Sequence, residues 1–397
     1  MFLASGSGPY VTTVDGQRLL DLRGHHTATI LGHGHPGVEA AVRAQLARGI
    51  ALGGPTEVEH DLAAELVRRV PSVERVRFTT SGSEAINHIL RLARGVTGRA
   101  KIAKFEGGYH GSVDAVDVSL GPPPELAGPP EAPLPVPNTR GLARGAAEDT
   151  VILPYRNPPA VTEILRRHRS ELAAVLLDPR AGILPLDAEF VRFVRRITDE
   201  LGLLLVLDEV VSFRLGPAGL QGLTGIRPDL TAFGKIIGGG FPLGAFGGRA
   251  DLMALLDESD GPTGFSQSGT FSGHPVALAA GLAVLRALTP SAYDHLDTLG
   301  ETVRRECNAI FARRGIEAQA VGDGSLFSIH FTAAPLRDYR SLQTADAGLA
   351  RDVFLGLLQR DVLPAVNLSM CAVSLPMGMA HLDALFDALD RTLAALR

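Results

Sequence analysis

An alternation of helix-like and strand-like segments between about residues 60 and 285 constrains the fold most strongly. Amphipathic stretches such as 84–94 and 187–200 carry apolar residues every three or four positions, and short apolar runs such as Ala173–Leu177 and Leu203–Leu207 separate such stretches. Apolar strands between helices are typical of a parallel sheet that is covered on both faces. The sequence therefore predicts an α/β fold with a large, mostly parallel sheet.

The chain of 397 residues is long enough for two domains. A second succession of helices and short strands predicts a smaller α/β domain at 289–397, after a large domain at 51–288. We expect residues 1–50 to form an N-terminal segment that packs with the small domain. Within the large domain, residues 121–137 contain eight prolines, which predicts a long loop, and our hypothesis is that 121–145 form a mobile lid.

Composition and charge exclude several classes of protein. The 38 basic and 43 acidic residues give a formal net charge of −5 without long runs of one sign, which does not favour nucleic acid or an anionic membrane as a partner. The two cysteines, Cys307 and Cys371, are too few for a disulfide framework, and the first residues do not match a signal peptide. We expect a cytoplasmic protein with free thiols whose partners are small molecules.

Two ionisable residues occupy positions of particular chemical interest. Asp208 ends an apolar strand at the edge where parallel sheets bind ligands, and the protonated ring nitrogen of a cofactor would supply the cation that a buried carboxylate needs. Lys235 lies among glycines and apolar residues, where desolvation would make its amine nucleophilic. The alternatives are an aspartate that caps the next turn and a surface lysine in a glycine-rich turn.

Three further segments contain glycine and hydroxyl or aromatic residues beside predicted elements. The segment Ser81-Gly82-Ser83-Glu84 at a helix start is either a capping box or a phosphate-binding site. The segment Gly107-Gly108-Tyr109-His110-Gly111 after a strand would place two rings over a ligand, or form an exposed turn. Thr270 precedes another helix, as a second phosphate contact or as part of an N-cap.

Four histidines between positions 25 and 35 raise the question of a metal site. Their spacing matches no familiar zinc pattern, and the segment Gly32-His33-Gly34-His35-Pro36 is typical of a turn. We therefore predict that the protein has no metal centre.

The phosphate-binding segment, the aromatic residue, the strand-end aspartate and the glycine-flanked lysine follow one another as in pyridoxal 5′-phosphate (PLP) enzymes. The chain resembles the class III aminotransferases of PLP fold type I, in particular glutamate-1-semialdehyde 2,1-aminomutase and the β-phenylalanine-type aminotransferases. The resemblance covers nearly the whole chain and rests on Gly32-His33, Ser81–Glu84, Tyr109-His110-Gly111, Leu153-Pro154-Tyr155, Asp208-Glu209-Val210, Arg227–Leu230, Gly234–Gly240, Gly244–Arg249 and Ser374-Leu375-Pro376. It implies a mostly parallel seven-stranded sheet and a smaller C-terminal α/β domain.

The resemblance also implies roles for individual residues. Lys235 would form the internal aldimine with PLP, Asp208 would pair with the ring nitrogen, and Tyr109 would stack on the ring; these three would be catalytic. The remaining cofactor contacts would be Ser81, Gly82, Ser83, His110, Val210 and Thr270. Because the residue that matches Thr270 reaches the phosphate of the neighbouring subunit in this family, the resemblance implies a homodimer with interfacial active sites.

The implied activity is transfer of an amino group between an amino acid, β-amino acids included, or an amine and a keto acid or aldehyde. Intramolecular amino transfer, as in the aminomutases, and racemisation are alternatives that use the same cofactor. A catalytically silent protein of this fold is the alternative outside enzymes. The presence of both Lys235 and Asp208 argues against it, because each needs a partner when buried.

Departures from the family pattern bear on the substrate. The aminomutases' Gly-Ser-Trp segment matches Gly24–Ala28, an asparagine that contacts the ring hydroxyl falls at Ile183, and a stretch that carries a carboxylate-binding arginine in the β-amino-acid enzymes is missing. Arg180 replaces an apolar residue and is our candidate for a carboxylate-binding residue, with pairing to Asp178 as the alternative. His25 and His26 would line the opposite wall.

Overall fold

The structure, a computed structural model, describes residues 1–180, 182–259 and 261–396. The chain begins with the strands β1 (Leu3–Ser7), β2 (Tyr10–Thr13) and β3 (Arg18–Asp21), the helical turn α1 (Gly24–Thr27) and the helix α2 (Pro36–Arg48). β2 and β3 pair antiparallel and form a hairpin.

A succession of helices and strands follows between residues 57 and 287, as the apolar pattern predicts. The strands are β4 (Arg75–Thr79), β5 (Lys101–Phe105), β6 (Thr150–Leu153), β7 (Leu172–Leu177), β8 (Leu204–Asp208), β9 (Leu230–Phe233) and β10 (Gly244–Gly248). The helices are α3 (Glu57–Arg69), α4 (Gly82–Thr97), α5 (Gly145–Glu148), α6 (Pro158–His168), α7 (Ala188–Leu201), α8 (Gly219–Thr224), α9 (Ala250–Met253) and α10 (Pro275–Ala287).

These strands form a seven-stranded sheet in the order β4-β10-β9-β8-β7-β5-β6. The neighbouring strands β9, β8, β7, β5 and β6 pair parallel in that order. β10 pairs antiparallel with both β9 and β4. The predicted α/β fold with a mostly parallel seven-stranded sheet is therefore confirmed.

Both faces of the sheet are covered by helices. Val175 and Leu177 of β7 belong to the buried cluster that contains Phe190 and Val194 of α7. Leu176, which points to the opposite face, belongs to the cluster that contains the apolar residues of α4. Burial of each such side chain contributes about 1.5–3 kcal/mol. Because both faces are covered, a polar site can form only at the edge of the sheet, and parallel sheets bind ligands at the carboxyl edge.

The remaining elements form a smaller α/β region. They are the helices α11 (Pro290–Arg314), α12 (Tyr339–Leu342), α13 (Ala347–Leu358) and α14 (Met379–Ala395) and the strands β11 (Gln319–Val321), β12 (Leu326–His330), β13 (Val362–Leu363) and β14 (Cys371–Ala372). β11, β12 and β14 form a three-stranded sheet, and β13 pairs parallel with β3 of the N-terminal segment. The N-terminal segment also contacts the large sheet region, because α2 packs on α10.

The proline-rich segment 121–137 runs as a loop that contacts the C-terminal region. The Tyr339 hydroxyl donates to the carbonyl of Pro122 at 3.2 Å. The guanidinium of Arg340 donates to the carbonyl of Gly128 at 2.8 Å and pairs with Glu106 at 2.9 Å. The lid hypothesis for 121–145 stays a prediction. Within the described residues, this segment does not line the cavity at the carboxyl edge of the large sheet.

Among the described residues, no single helix has both the length and the apolar composition needed to cross a membrane. α10 and α11 meet those criteria only when taken together, and their axes are bent by 79°.

Candidate active site

The carboxyl edge of the parallel strands opens into a cavity of about 600 Å³. Its walls come from the end of β8, the turns after β5, β7 and β9, the start of α4, the turn α1 and the segment 365–370 of the C-terminal region. The cavity brings together nine of the residues that the sequence singles out: His26, Gly82, Ser83, Tyr109, His110, Arg180, Asp208, Val210 and Lys235.

Asp208 is the last residue of β8, and its carboxylate is 7% exposed. One oxygen, Oδ1, accepts from the backbone N–H of Val210 at 3.0 Å. Asp208 therefore caps the following turn, which is the alternative role that the sequence allowed. The other, Oδ2, accepts from Nδ1 of His110 at 2.8 Å. Nε2 of His110 is buried and has no partner among the described residues. Because an unpaired buried polar atom is costly, a bound group that supplies a hydrogen-bond partner or water would stabilise this arrangement.

Lys235 follows β9 and begins a 3₁₀ turn that extends to Gly238. Its backbone has a φ of 51°, a left-handed conformation that costs a residue with a Cβ about 1–2 kcal/mol. Burial lowers the pKa of its amine, and the nearby carboxylates of Asp208 and Asp178 oppose this effect in part. The amine is therefore unprotonated, and nucleophilic, at a lower pH than that of an ordinary lysine.

The start of α4 presents backbone N–H groups to the cavity. The hydroxyl of Ser81 accepts from the N–H of Glu84 at 3.1 Å, so Ser81 caps the helix, and its side chain is not part of the cavity lining. Gly82 and Ser83 line the cavity within the first turn, where N–H groups lack partners inside the helix and the helix dipole favours an anion. A Cβ at Gly82 would lie 2.8 Å from the side chain of Val210, so only glycine leaves room there.

The turn that carries Tyr109 and His110 is held from behind by two buried cations. The Lys104 amine donates to the carbonyls of Gly108 at 2.7 Å, Val118 at 2.6 Å and Val116 at 3.1 Å. Nη1 of Arg180 donates to the carbonyl of Gly107. This support leaves the Tyr109 side chain 53% exposed at the cavity.

Burial lowers the pKa of Lys104 to about 7, with the charge of Arg180 as the next cause. Lys104 is not among the residues predicted from the sequence. The one sequence feature that could have identified it is that Lys104 is the single charged residue within the apolar run from Ile102 to Phe105.

Arg180 reaches the cavity wall, but part of its guanidinium is already engaged. The side chain is 7% exposed, and besides the bond to Gly107 it lies 4.0 Å from the carboxylate of Asp178. Its Nε is buried without a partner among the described residues. The role of Arg180 in carboxylate binding stays a prediction, and Ala181 beside it lies outside the described residues.

The turn α1 forms part of the cavity wall. All four of its residues have positive φ values, between 47° for His25 and 74° for Thr27. Both His25 and His26 are exposed, but only His26 lines the cavity. His33, a further member of the histidine group, contacts Asp21 at 2.8 Å, which gives it a structural partner.

Other lining residues were not expected from the sequence. Arg23 precedes α1, and the segment 365–370 contributes Ala365, Val366, Ser369 and Met370. Asn367, Leu368 and Met370 have positive φ although none is glycine, and of the three only asparagine commonly adopts this conformation. Thr270 is exposed and outside the lining, in a segment that Gln267 joins to the end of β4 through a 3.2 Å bond to the carbonyl of Phe78.

Comparison with known proteins places the chain in a family. The family model for class III aminotransferases matches residues 1–391. The chain belongs to the class III aminotransferases. This class III enzyme is 36% identical over 402 residues to glutamate-1-semialdehyde 2,1-aminomutase of Methanothermobacter thermautotrophicus, a match that covers 100% of this chain and 93% of the relative.

Solved structures are similar over the same length. An ω-transaminase from Sphaerobacter thermophilus aligns with a TM-score of 0.95 at 39% identity, over 99% of this chain and 90% of that one. The β-phenylalanine aminotransferase from Variovorax paradoxus aligns with a TM-score of 0.88 at 36% identity, over 99% and 87% of the two chains. The predicted resemblance to both branches of the family is confirmed.

The cofactor of this class III aminotransferase is PLP. A transaminase solved with PLP bound aligns with a TM-score of 0.91 at 34% identity, over 100% of this chain and 91% of that one. The cavity fits this cofactor, because Nε2 of His110 is buried without a partner among the described residues, and because the lack of a Cβ at Gly82 lets Val210 and the start of α4 lie side by side in the cavity wall. The start of α4 suits a phosphate, and Lys235 suits an aldehyde.

Proposed function

We propose that this class III enzyme transfers an amino group between an amino acid, β-amino acids included, or an amine and a keto acid or aldehyde, with PLP held on Lys235. The observation that carries the proposal is the distribution of the three lysines of the chain. Lys235 lines the cavity, Lys101 forms an ion pair with Glu171, and Lys104 is buried behind the turn after β5. Lys235 therefore has a free amine where the other cofactor contacts converge.

The assigned residues of the cavity have separate roles in the proposed amino transfer. The bound cofactor supplies an electron sink for the substrate carbon that loses a proton. The carboxylate of Asp208, which His110 holds in place, would keep a proton on the ring nitrogen. Nζ of Lys235 would remove the proton from the carbon that bears the substrate amine. Gly82 and Ser83 would hold the phosphate, and Tyr109 and Val210 would contact the ring.

A homodimer forms part of the proposal. Thr270 and the neighbouring Phe271, which is 58% exposed, lie on the surface of the isolated chain. We assign Thr270 to the phosphate site of the partner subunit, so that each active site forms at the interface between two chains.

Intramolecular amino transfer is the second candidate. It is favoured by the name of the relative from Methanothermobacter, a glutamate-1-semialdehyde 2,1-aminomutase that is 36% identical. An aminomutase keeps the nitrogen on one carbon skeleton, whereas a transaminase releases a keto product from each donor. The two reactions therefore differ in whether a second substrate is needed, and a racemase differs from both because it only inverts the carbon.

Single half-reactions test the proposal. The purified holoenzyme is mixed with each member of a panel of α-amino acids, β-amino acids and simple amines, and the cofactor absorbance and the released keto compound are measured. We expect at least one donor to convert the cofactor to its amine form with one keto product per site, and a keto acid to reverse the change. Isomerisation of a single amino aldehyde without an acceptor would favour the aminomutase, and inversion alone would favour the racemase.

A further inference from the structure

The guanidinium of Arg23 is a cavity cation that the proposed chemistry does not use. Among the described residues of the lining, the other lysine and arginine cations are Lys235, assigned to the cofactor, and Arg180, which donates to the carbonyl of Gly107. Nη2 of Arg23 donates to Nε2 of His26 at 3.2 Å, and within residues 1–180, 182–259 and 261–396 no carboxylate pairs with it. Its remaining N–H groups are available to an anionic ligand.

The backbone around Arg23 is held firmly. Oδ1 of Asp21 accepts from the N–H groups of Arg23 and Gly24, both at 3.0 Å. At the other end of α1, Nη1 of the buried Arg214 donates to the carbonyl of Thr27 at 2.6 Å. A left-handed turn with three residues that carry a Cβ persists only when its surroundings fix it, and such strain concentrates at functional sites.

His26 lines the cavity beside Arg23. Partial burial lowers the pKa of its imidazole, and the charges of Arg23, His25 and Lys235 lower it further. His26 and Lys235, the lysine that we assign to the cofactor, both line the cavity. A neutral His26 accepts a hydrogen bond from Arg23 and so orients the guanidinium.

We propose that Arg23, oriented by His26, binds a carboxylate of the substrate and makes the enzyme selective for amines that carry an acid group. The inference rests on the proposed amino-transfer function and narrows its substrates to amino acids rather than simple amines. Arg180 is the competing residue. Arg23 fits better because its side chain is half-buried at the cavity, whereas that of Arg180 is buried, with Nη1 bonded to Gly107 and Nε enclosed.

Equilibrium binding tests the proposal without turnover. The probes are 2- and 3-hydroxybutanoate, which lack the reacting amine, and their methyl esters, each titrated calorimetrically into the holoenzyme. We expect at least one acid to bind more tightly than its ester. Arg23→Gln should raise the Kd of that acid by about 30-fold, the range of a lost hydrogen-bonded ion pair, and leave the ester within about threefold. Arg23→Lys should recover part of the loss.

Two control variants separate the alternatives. Arg18→Gln removes a cation of the same segment that stacks on the Tyr10 ring, 3.6 Å from its centroid, outside the cavity, and should change neither Kd. Arg180→Met tests the competing residue. Equal binding of acid and ester by the wild type, or a loss confined to Arg180→Met, would overturn the assignment to Arg23.

Half-reactions with 3-aminobutanoate and its methyl ester complete the test. Arg23→Gln should raise KM for the acid and leave kcat little changed, because a remote carboxylate contact is made equally in the ground state and the transition state. If the wild type transfers amino groups but acid and ester respond alike to Arg23→Gln, the proposal fails and the proposed function stands. If neither donor reacts but the acid still binds through Arg23, the proposal stands and the amino-transfer function is in question.

Discussion

Lys104 connects the buried interior to the turn that carries Tyr109 and His110, and its replacement should loosen that turn. The side chain is fully buried, and its amine donates to three backbone carbonyls at 2.6 to 3.1 Å. Lys104→Met keeps the length of the side chain and removes all three donors. We expect lower stability of residues 107–119 and weaker cofactor binding, because Tyr109 and His110 lose their support.

The size of the effect follows from two opposing contributions. A buried acceptor without a partner costs about 1–3 kcal/mol, so three orphaned carbonyls would cost about 3–9 kcal/mol. Removal of the buried ammonium offsets part of this cost, because burial lowers the Lys104 pKa to about 7. We expect the free energy of local opening to fall by about 3 kcal/mol at pH 7.

The same pKa sets the direction of the pH dependence. Between about pH 7 and the ordinary lysine value of 10.5, the unfolded chain binds more protons at Lys104 than the folded chain does. Raising the pH through this window therefore stabilises the folded wild type, by at most about 1.4 kcal/mol per pH unit. The difference between wild type and Lys104→Met should grow as the pH rises from 7 to 9.

Hydrogen–deuterium exchange of the amides in 107–119 measures this opening directly, since the N–H of Gly107 donates to the carbonyl of Ser119 at 2.8 Å. Lys101→Met is the matched control, because Lys101 begins the same strand and forms an ion pair with Glu171 nearer the surface, where such a pair contributes about 0–1 kcal/mol. Unchanged exchange in Lys104→Met, or equal effects of the two variants, would refute the reasoning.

Three other predictions concern different parts of the molecule. Asp208→Asn should retain the fold and bound cofactor but lower kcat by roughly 100-fold or more, because an amide cannot hold the ring proton as a carboxylate does; a fully active variant would contradict the assigned role. Burial raises the pKa of Cys371 to about 12 and that of Cys307 further, so the native enzyme should not react with a thiol reagent, whereas the unfolded chain should show two thiols. Light scattering should give about twice the chain mass of 41.8 kDa, and an active monomer would exclude the role of Thr270 in a partner's site.

The large sheet could be predicted because its buried strands are short apolar runs between amphipathic helices. The same pattern located Asp208, since β8 ends at that residue as the run of leucine and valine predicts. β10 could not be predicted because Gly244–Gly248 contains three glycines, which have low strand propensity. The structure shows their reason: a Cβ at Gly244 or Gly248 would collide with the backbone of a neighbouring segment.

The candidate site was predictable only where one residue type stands out locally. Lys235 is a lone lysine among glycines, but Arg23 is an ordinary arginine whose importance comes from the tertiary position of α1. The segment 365–370 enters the cavity through long-range packing of the C-terminal region. In the same region the short strands β13 and β14 have two residues each, too few to show a period, so their bounds could not be read from the sequence.

The central claim is that Lys235 carries the cofactor, and reduction with sodium borohydride tests it most directly. Reduction fixes the link between PLP and its lysine, and proteolysis with mass spectrometry then locates the label. Because the chain has only the lysines Lys101, Lys104 and Lys235, the result is unambiguous. We predict one pyridoxyl group per chain on Lys235, absent in Lys235→Met. A label on Lys101 or Lys104 in the wild type would contradict the account.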